Sequence, residues 1–84
     1  IMEHFSKVQL ERRMKGLIAH KLGTDLKEVS LSSDFAGDLG ADSLDVFQII
    51  MGIEEEFDIE VPAEEAEKIT TVEEAVNMIK AATN

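Results

Sequence analysis

Leu10, Met14, Leu17, Ile18 and Leu22 recur at i, i+4, i+7, i+8 and i+12. That spacing is one face of an α-helix and fits no strand. Ser6 and Gln9 make a capping box at its start, and Gly23 suits its C-terminal end, so a helix is expected over roughly 6–21. A second apolar helical period runs over roughly 43–57, with Asp42 as N-cap. Pro62 marks a boundary, a short helix is expected over roughly 63–68, and Thr71 with Glu74 forms a capping box for a last helix near 72–82. Nothing alternates as a strand. The fold class is therefore all-α, a small four-helix bundle with a long first loop and a short third helix.

Between the first two helices, 23–42 shows no sustained period and is rich in Gly, Ser, Thr and Asp. Val29, Leu31, Phe35 and Leu39 are the residues that can pin this loop to a core. A loop of such length in a compact domain is usually functional.

At 84 residues the chain has room for one domain with a modest core, so 1–84 is read as a single unit. Ile1 precedes Met2, and residues 1–5 are expected to be disordered or an expression remnant. There is no Cys, which removes disulfides, Cys-ligated metals and Cys nucleophiles together. No apolar run approaches the roughly 20 residues that span a membrane, and no segment reads as a signal peptide. The net charge is −10. Residues 1–41 carry six acids and six bases, whereas 42–84 carry twelve acids against Lys68 and Lys80. Such a field repels nucleic acid and attracts basic protein surfaces; it also serves as a solubilising surface. No twelve-residue Ca²⁺ loop is present, and no metal site is expected.

The second helix carries more apolar surface than one core-facing stripe needs. On a wheel, Val46, Ile49, Ile50, Ile53 and Phe57 form an arc wide enough for the core. Leu44, Phe47 and Met51 extend well beyond it, with Glu54 among them. Either the helix is buried on most sides, or the extra residues form an exposed ridge with an acidic rim. Glu54, Glu55 and Glu56 favour the ridge, because ionised carboxylates are almost never buried unpaired.

Ser43 opens this helix. A free Ser hydroxyl is a poor nucleophile without an activating base, and neither His4 nor His20 has a context that pairs it with Ser43. Asp45, where the second glycine would stand, also excludes a G-x-S-x-G elbow, which argues against a hydrolase. A phosphate ester at a helix N-terminus is physically favourable. Ser is also a common capping residue, and the residue alone does not separate the two roles.

Three segments in order, D-L-G-A-D-S-L-D at 38–45, I-E-E-E-F-D-I-E-V-P at 53–62 and E-E-A-E-K-I-T-T-V at 64–72, resemble the bacterial-type acyl carrier proteins of type II fatty acid synthesis. The likeness extends from about Leu10 to Ile79. It implies a non-catalytic carrier with the same four-helix fold. It also implies 4′-phosphopantetheine on Ser43, installed from coenzyme A by a phosphopantetheinyl transferase, with acyl chains held as thioesters. By resemblance, partner enzymes read Asp42, Leu44, Asp45, Met51, Glu54, Glu55 and Glu60. The partners implied are fatty acid synthesis enzymes and acyltransferases that present basic patches. The acyl pocket positions are Phe35, Val46, Ile50, Ile53, Val61, Ala66 and Ile69; the plainer role for these is ordinary core. A monomer is expected, in the cytoplasm, or in an organelle stroma or matrix if the source is eukaryotic. Gln48, Gly52 and Phe47 depart from the family pattern without touching the attachment motif. Alternative readings are a polyketide or other specialised carrier, and an acidic helical adaptor with no prosthetic group.

Overall fold

A computed structural model of the chain describes residues 6–83; the expectations for residues 1–5, including His4, lie outside the described residues. Four α-helices follow in order: α1 (Lys7–Leu22), α2 (Ser43–Phe57), α3 (Ala63–Ala66) and α4 (Val72–Thr83). A single 3₁₀ turn, Leu26–Glu28, interrupts the first loop. The aperiodic composition of that segment carried no signal for it. α3 is also shorter than expected, ending at Ala66 with Glu67 as its C-cap.

Each predicted helix start is built as its sequence implies. The Ser6 hydroxyl accepts from the Gln9 N–H at 3.2 Å, while the Gln9 side chain accepts from the Ser6 N–H at 2.9 Å. Gly23 closes α1 in the left-handed conformation. At the end of α2 the same conformation falls on Asp58, at φ 56°, a position Asp tolerates better than most non-glycine residues. The Asp58 and Ile59 N–H groups both donate to the Glu54 carbonyl there.

α1 packs against both α2 and α4. Leu10, Met14, Ile18, Ile49, Ile53, Phe57, Val72, Val76 and Ile79 are almost completely buried in one cluster. Fully burying one such side chain contributes about 1.5–3 kcal/mol relative to leaving it exposed. Leu17, Leu22 and Val46 are partly buried at its edge. Gly52 faces side chains of α1. A Cβ there would stand 3.1 Å from Lys21 Cε and 3.4 Å from a Leu17 methyl. The helix-propensity cost of glycine, about 1 kcal/mol relative to Ala, is thus set against a close approach of the two helices. One turn on, Arg13 pairs with Glu56 and lies 5.7 Å from the Phe57 ring centroid, covering the core edge.

The first loop is stitched to the start of α4. Val72 and Glu73, whose N–H groups begin a helix and have no partner within it, donate to the Ser33 and Leu31 carbonyls at 3.1 and 2.9 Å. In return the Phe35 N–H donates to the Thr70 carbonyl at 2.9 Å. These bonds surround an isolated antiparallel bridge between Asp34 and Thr71. Val29 and Phe35 are buried and Leu31 and Leu39 pack at the core edge, as expected of the four pinning residues.

Glu74 completes the junction. One of its carboxylate oxygens accepts from the Thr70 N–H, the Thr71 N–H and the Thr70 hydroxyl, and Thr71 caps the Glu74 N–H. The hydrogen bonds from Thr70, and then those from Thr71, hold the Glu74 carboxyl below its ordinary value of 4.5. A carboxyl depressed in the folded state contributes stability above its unfolded pKa and loses it as pH falls through the folded value. Glu74→Gln is therefore expected to lower the urea midpoint at neutral pH, and the gap to the parent chain should close as pH falls below 4.5. Urea melts of both proteins across an acid series check this; a gap that stays constant would rule it out.

Candidate functional site

The segment that delivers Ser43 is a chain of local hydrogen bonds. The Asp34 carboxylate accepts from the Gly37 N–H at 2.8 Å, and the Asp38 carboxylate accepts from the Asp34 N–H at 2.7 Å. The Asp34 carbonyl accepts from the Asp38 and Leu39 N–H groups. A Cβ on Gly37 would sit 2.9 Å from an Asp34 carboxylate oxygen and displace that carboxylate. Gly40 turns the chain at φ 68°, a conformation that costs a non-glycine residue about 1–2 kcal/mol. The Ala41 N–H then donates to the Phe35 carbonyl at 2.8 Å, and Ala41 is buried. Phe35 is thus the anchor from which the next residues are aimed.

Asp42 and Asp45 form a reciprocal capping box. The Asp45 N–H donates to Asp42 Oδ1 at 2.9 Å, and the Asp42 N–H donates to Asp45 Oδ2 at 3.2 Å. Ser43 is the first residue of α2 and is exposed. Its hydroxyl has no hydrogen-bond partner among the described residues, nor do the Ser43 and Leu44 N–H groups. The aspartates do the capping and Ser43 does not. The only histidine among the described residues, His20, lines a groove between α1 and α2 with Glu55 and Glu56, not the region of Ser43.

Ser43 opens on a cleft of about 480 Å³ whose lining includes Val46, Phe47, Ile50, Ala63, Ala66 and Ile69. That volume falls in the range of small-molecule sites, which are mostly apolar with few polar groups. Four of the seven expected pocket residues line it: Val46, Ile50, Ala66 and Ile69. The other three do not. Phe35 and Ile53 are 2% and 0% exposed inside the closed core. Val61 lines a separate groove between the α2–α3 connection and α4, where Ile69 also contributes. The sequence reading missed Ala36, Ala41 and Ala63, because alanines on a loop and a four-residue helix leave no periodic pattern.

The ridge on α2 is real. Leu44, Phe47 and Met51 are 63%, 56% and 50% exposed, at i, i+3 and i+7, and Glu55 follows Met51 at i+4 on the same side. Two of the expected recognition acids also take part in the exit of α2. Glu54 is half-buried, and its carboxylate accepts from the Val61 N–H at 2.9 Å, tying the exit of α2 to the approach of α3. Glu60 lies beyond the left-handed exit at Asp58 and lines the groove with Val61. Phe47 was passed over as a site residue, although its bulk was visible. It stands on the ridge and lines the cleft at once.

Among the described residues no three His, Cys, Asp or Glu converge as metal ligands, and no helix is long and apolar enough to cross a membrane. For a phosphodiester-linked arm, by contrast, the residues present fit. The free hydroxyl, the unpaired N–H groups beside it and the apolar cleft below supply an attachment atom, an anion-favouring helix end and a dry wall.

The family model described as "Phosphopantetheine attachment site" matches residues 12–79. The chain is 55% identical over 71 residues to the acyl carrier protein of Clostridium acetobutylicum, an overlap that covers 84% of this chain and 92% of that protein.

Because the aspartates carry the capping, Asp42→Ala is expected to destabilise the fold by about 0.5–2 kcal/mol, whereas Ser43→Ala should leave the urea midpoint nearly unchanged. Equilibrium urea melts of the two variants decide this. A larger loss in Ser43→Ala than in Asp42→Ala would reverse the assignment.

Proposed function

This chain belongs to the acyl carrier protein family, and from that premise we propose that Ser43 is its attachment residue and that the α2 ridge is its docking surface. The family function is a carrier without catalytic activity, loaded with covalent 4′-phosphopantetheine, and fatty acid synthesis is its typical setting. When bound, the arm supplies the thiol that this Cys-free chain lacks, and acyl groups travel on it as thioesters. The observation that carries the proposal is the Ser43 hydroxyl, exposed and unengaged at the mouth of an apolar cleft.

Each of the chain's own groups then has a task. Asp42 and Asp45 hold the first turn of α2 rigid, and their capping bonds occupy one oxygen of each carboxylate. The Ser43 and Leu44 N–H groups would favour a phosphate esterified to the Ser43 hydroxyl. Val46, Ile50, Ala66 and Ile69 shelter the near part of an acyl chain, each buried CH₂ contributing about 0.8 kcal/mol before strain. Further entry requires Ile53 and Phe35 to give way, since both are closed in the core. Leu44, Phe47 and Met51 make the apolar centre of the docking surface, with Asp45 and Glu55 at its rim. That is the anatomy of a transient interface. The phosphopantetheinyl transferase, synthesis enzymes and acyltransferases meet it through basic patches. The working location is the cytoplasm, or the stroma or matrix of an organelle, and the chain acts as a monomer. A fatty-acid carrier is favoured over a polyketide carrier by the acid-rich α2 and its exit.

Incubation with coenzyme A, Mg²⁺ and a phosphopantetheinyl transferase should add one phosphopantetheine mass to the peptide containing Ser43, and Ser43→Ala should add none. Modification of the variant at another residue would remove Ser43 from its role.

Met51→Ala should weaken binding to a transferase or synthase while costing much less stability than the roughly 2–5 kcal/mol of a buried Met→Ala change. Glu55→Lys should slow association, and the parent's association rate should fall as salt rises, since exposed charges are screened over about 8 Å at physiological ionic strength. Salt-independent kinetics, or a large drop in the Met51→Ala midpoint, would count against the ridge.

A further inference from the structure

Arg12, Lys15 and Lys27 take no part in the site around Ser43. With Asp25, Leu26 and Val29 they line a groove of about 900 Å³ between α1 and the 3₁₀ turn that follows it. This groove shares no lining residue with the Ser43 cleft. Acids outnumber bases 18 to 8 in the chain, yet here three cations meet one acid. None of the three has an ion-pair partner among the described residues, whereas neighbouring Arg13 pairs with Glu56. Leu26 is 57% exposed beside them. The surface is firmly built: the turn packs on α1, its Glu28 and Val29 N–H groups donate to the Asp25 and Leu26 carbonyls, and Val29 is 3% exposed.

We propose that this groove docks an acidic peptide segment of a partner protein, with carboxylates on Arg12, Lys15 and Lys27 and an apolar side chain over Leu26. Charge complementarity selects the occupant. Three unneutralised cations around an exposed leucine match carboxylates flanking an apolar residue, and a concave groove suits a segment of chain better than a flat bilayer. The body measures 33 × 27 × 18 Å and carries a net charge of −10. That excess opposes every anionic body at long range, the extended face of a membrane or of a second copy more than a short segment that meets only the local cations. Because this groove and the α2 ridge share no residue, the carrier can hold a basic partner near Ser43 and an acidic one on α1 together.

The test uses the full chain, ¹⁵N-labelled, titrated with a synthetic amphipathic peptide of Glu and Leu, with vesicles containing phosphatidylglycerol, and with nothing added over a concentration series in the ultracentrifuge. The peptide should shift amide resonances clustered at Arg12, Lys15, Leu26 and Lys27, and less so as salt rises. The triple variant Arg12→Glu, Lys15→Glu, Lys27→Glu should weaken the peptide by about tenfold or more. Leu26→Ser, a milder change at an exposed position, should weaken it by about threefold. Loading of Ser43 by the transferase should be unchanged in both variants, so failure here is separable from failure of the attachment reading. Absence of clustered shifts, or peptide binding that both variants leave intact, would overturn the proposal. So would vesicle binding without peptide binding, or self-association lost in the triple variant; these would reassign the groove to lipid or to a second copy.

Discussion

The backbone pairing between the first loop and the start of α4 is the contact on which the rest of the molecule depends. Ordering one residue's backbone costs about 1–2 kcal/mol, and the connection from α1 to α2 is long. It stays ordered because its carbonyls at Leu31 and Ser33 satisfy N–H groups that α4 cannot satisfy itself. The Phe35 N–H returns the favour to Thr70, and the Phe35 ring is buried. From Phe35 a single further bond reaches Ala41, and the next residue is the N-cap of α2. The position of Ser43 is therefore set by the far end of the chain as much as by its neighbours.

α2 divides its surface between two demands. Ile49, Ile53 and Phe57 face the closed core, while Leu44, Phe47 and Met51 remain in water. A domain this small cannot cover every apolar side chain, but three large ones on one helix face, spaced along two turns, are more than scattered remainder. Val46 and Ile50 lie between the two sets and line the cleft. The helix thus joins interior, cleft and exposed apolar ridge within fifteen residues. α3, a single turn, forms the opposite wall through Ala63 and Ala66, and Glu54 tethers its approach by accepting from Val61.

The separation of charge along the chain becomes a separation in space. The acids crowding the second half border the ridge and α3, whereas the bases of the first half lie on α1 and the turn after it. Arg13 joins the two regions at Glu56; the cations at Arg12, Lys15 and Lys27 gather around the other groove.

Helix positions, the three capping boxes or caps and the surplus apolar arc of α2 were all determined by local sequence. They depend on period, on a side chain three residues from its partner, or on composition, and those signals need no knowledge of the fold. What only the tertiary structure decided is where residues distant in sequence meet. Ile53 and Phe35 are sealed in the core rather than lining the cleft, because they join the cluster to which α1 and α4 also contribute. Glu54 binds the Val61 backbone, because the chain turns back at Asp58. Gly52 is explained by the nearness of Lys21 and Leu17 on another helix. A hydrophobic pattern tells which side chains leave water, but the depth each reaches depends on which neighbours pack over it, and that is settled only when the whole chain has folded.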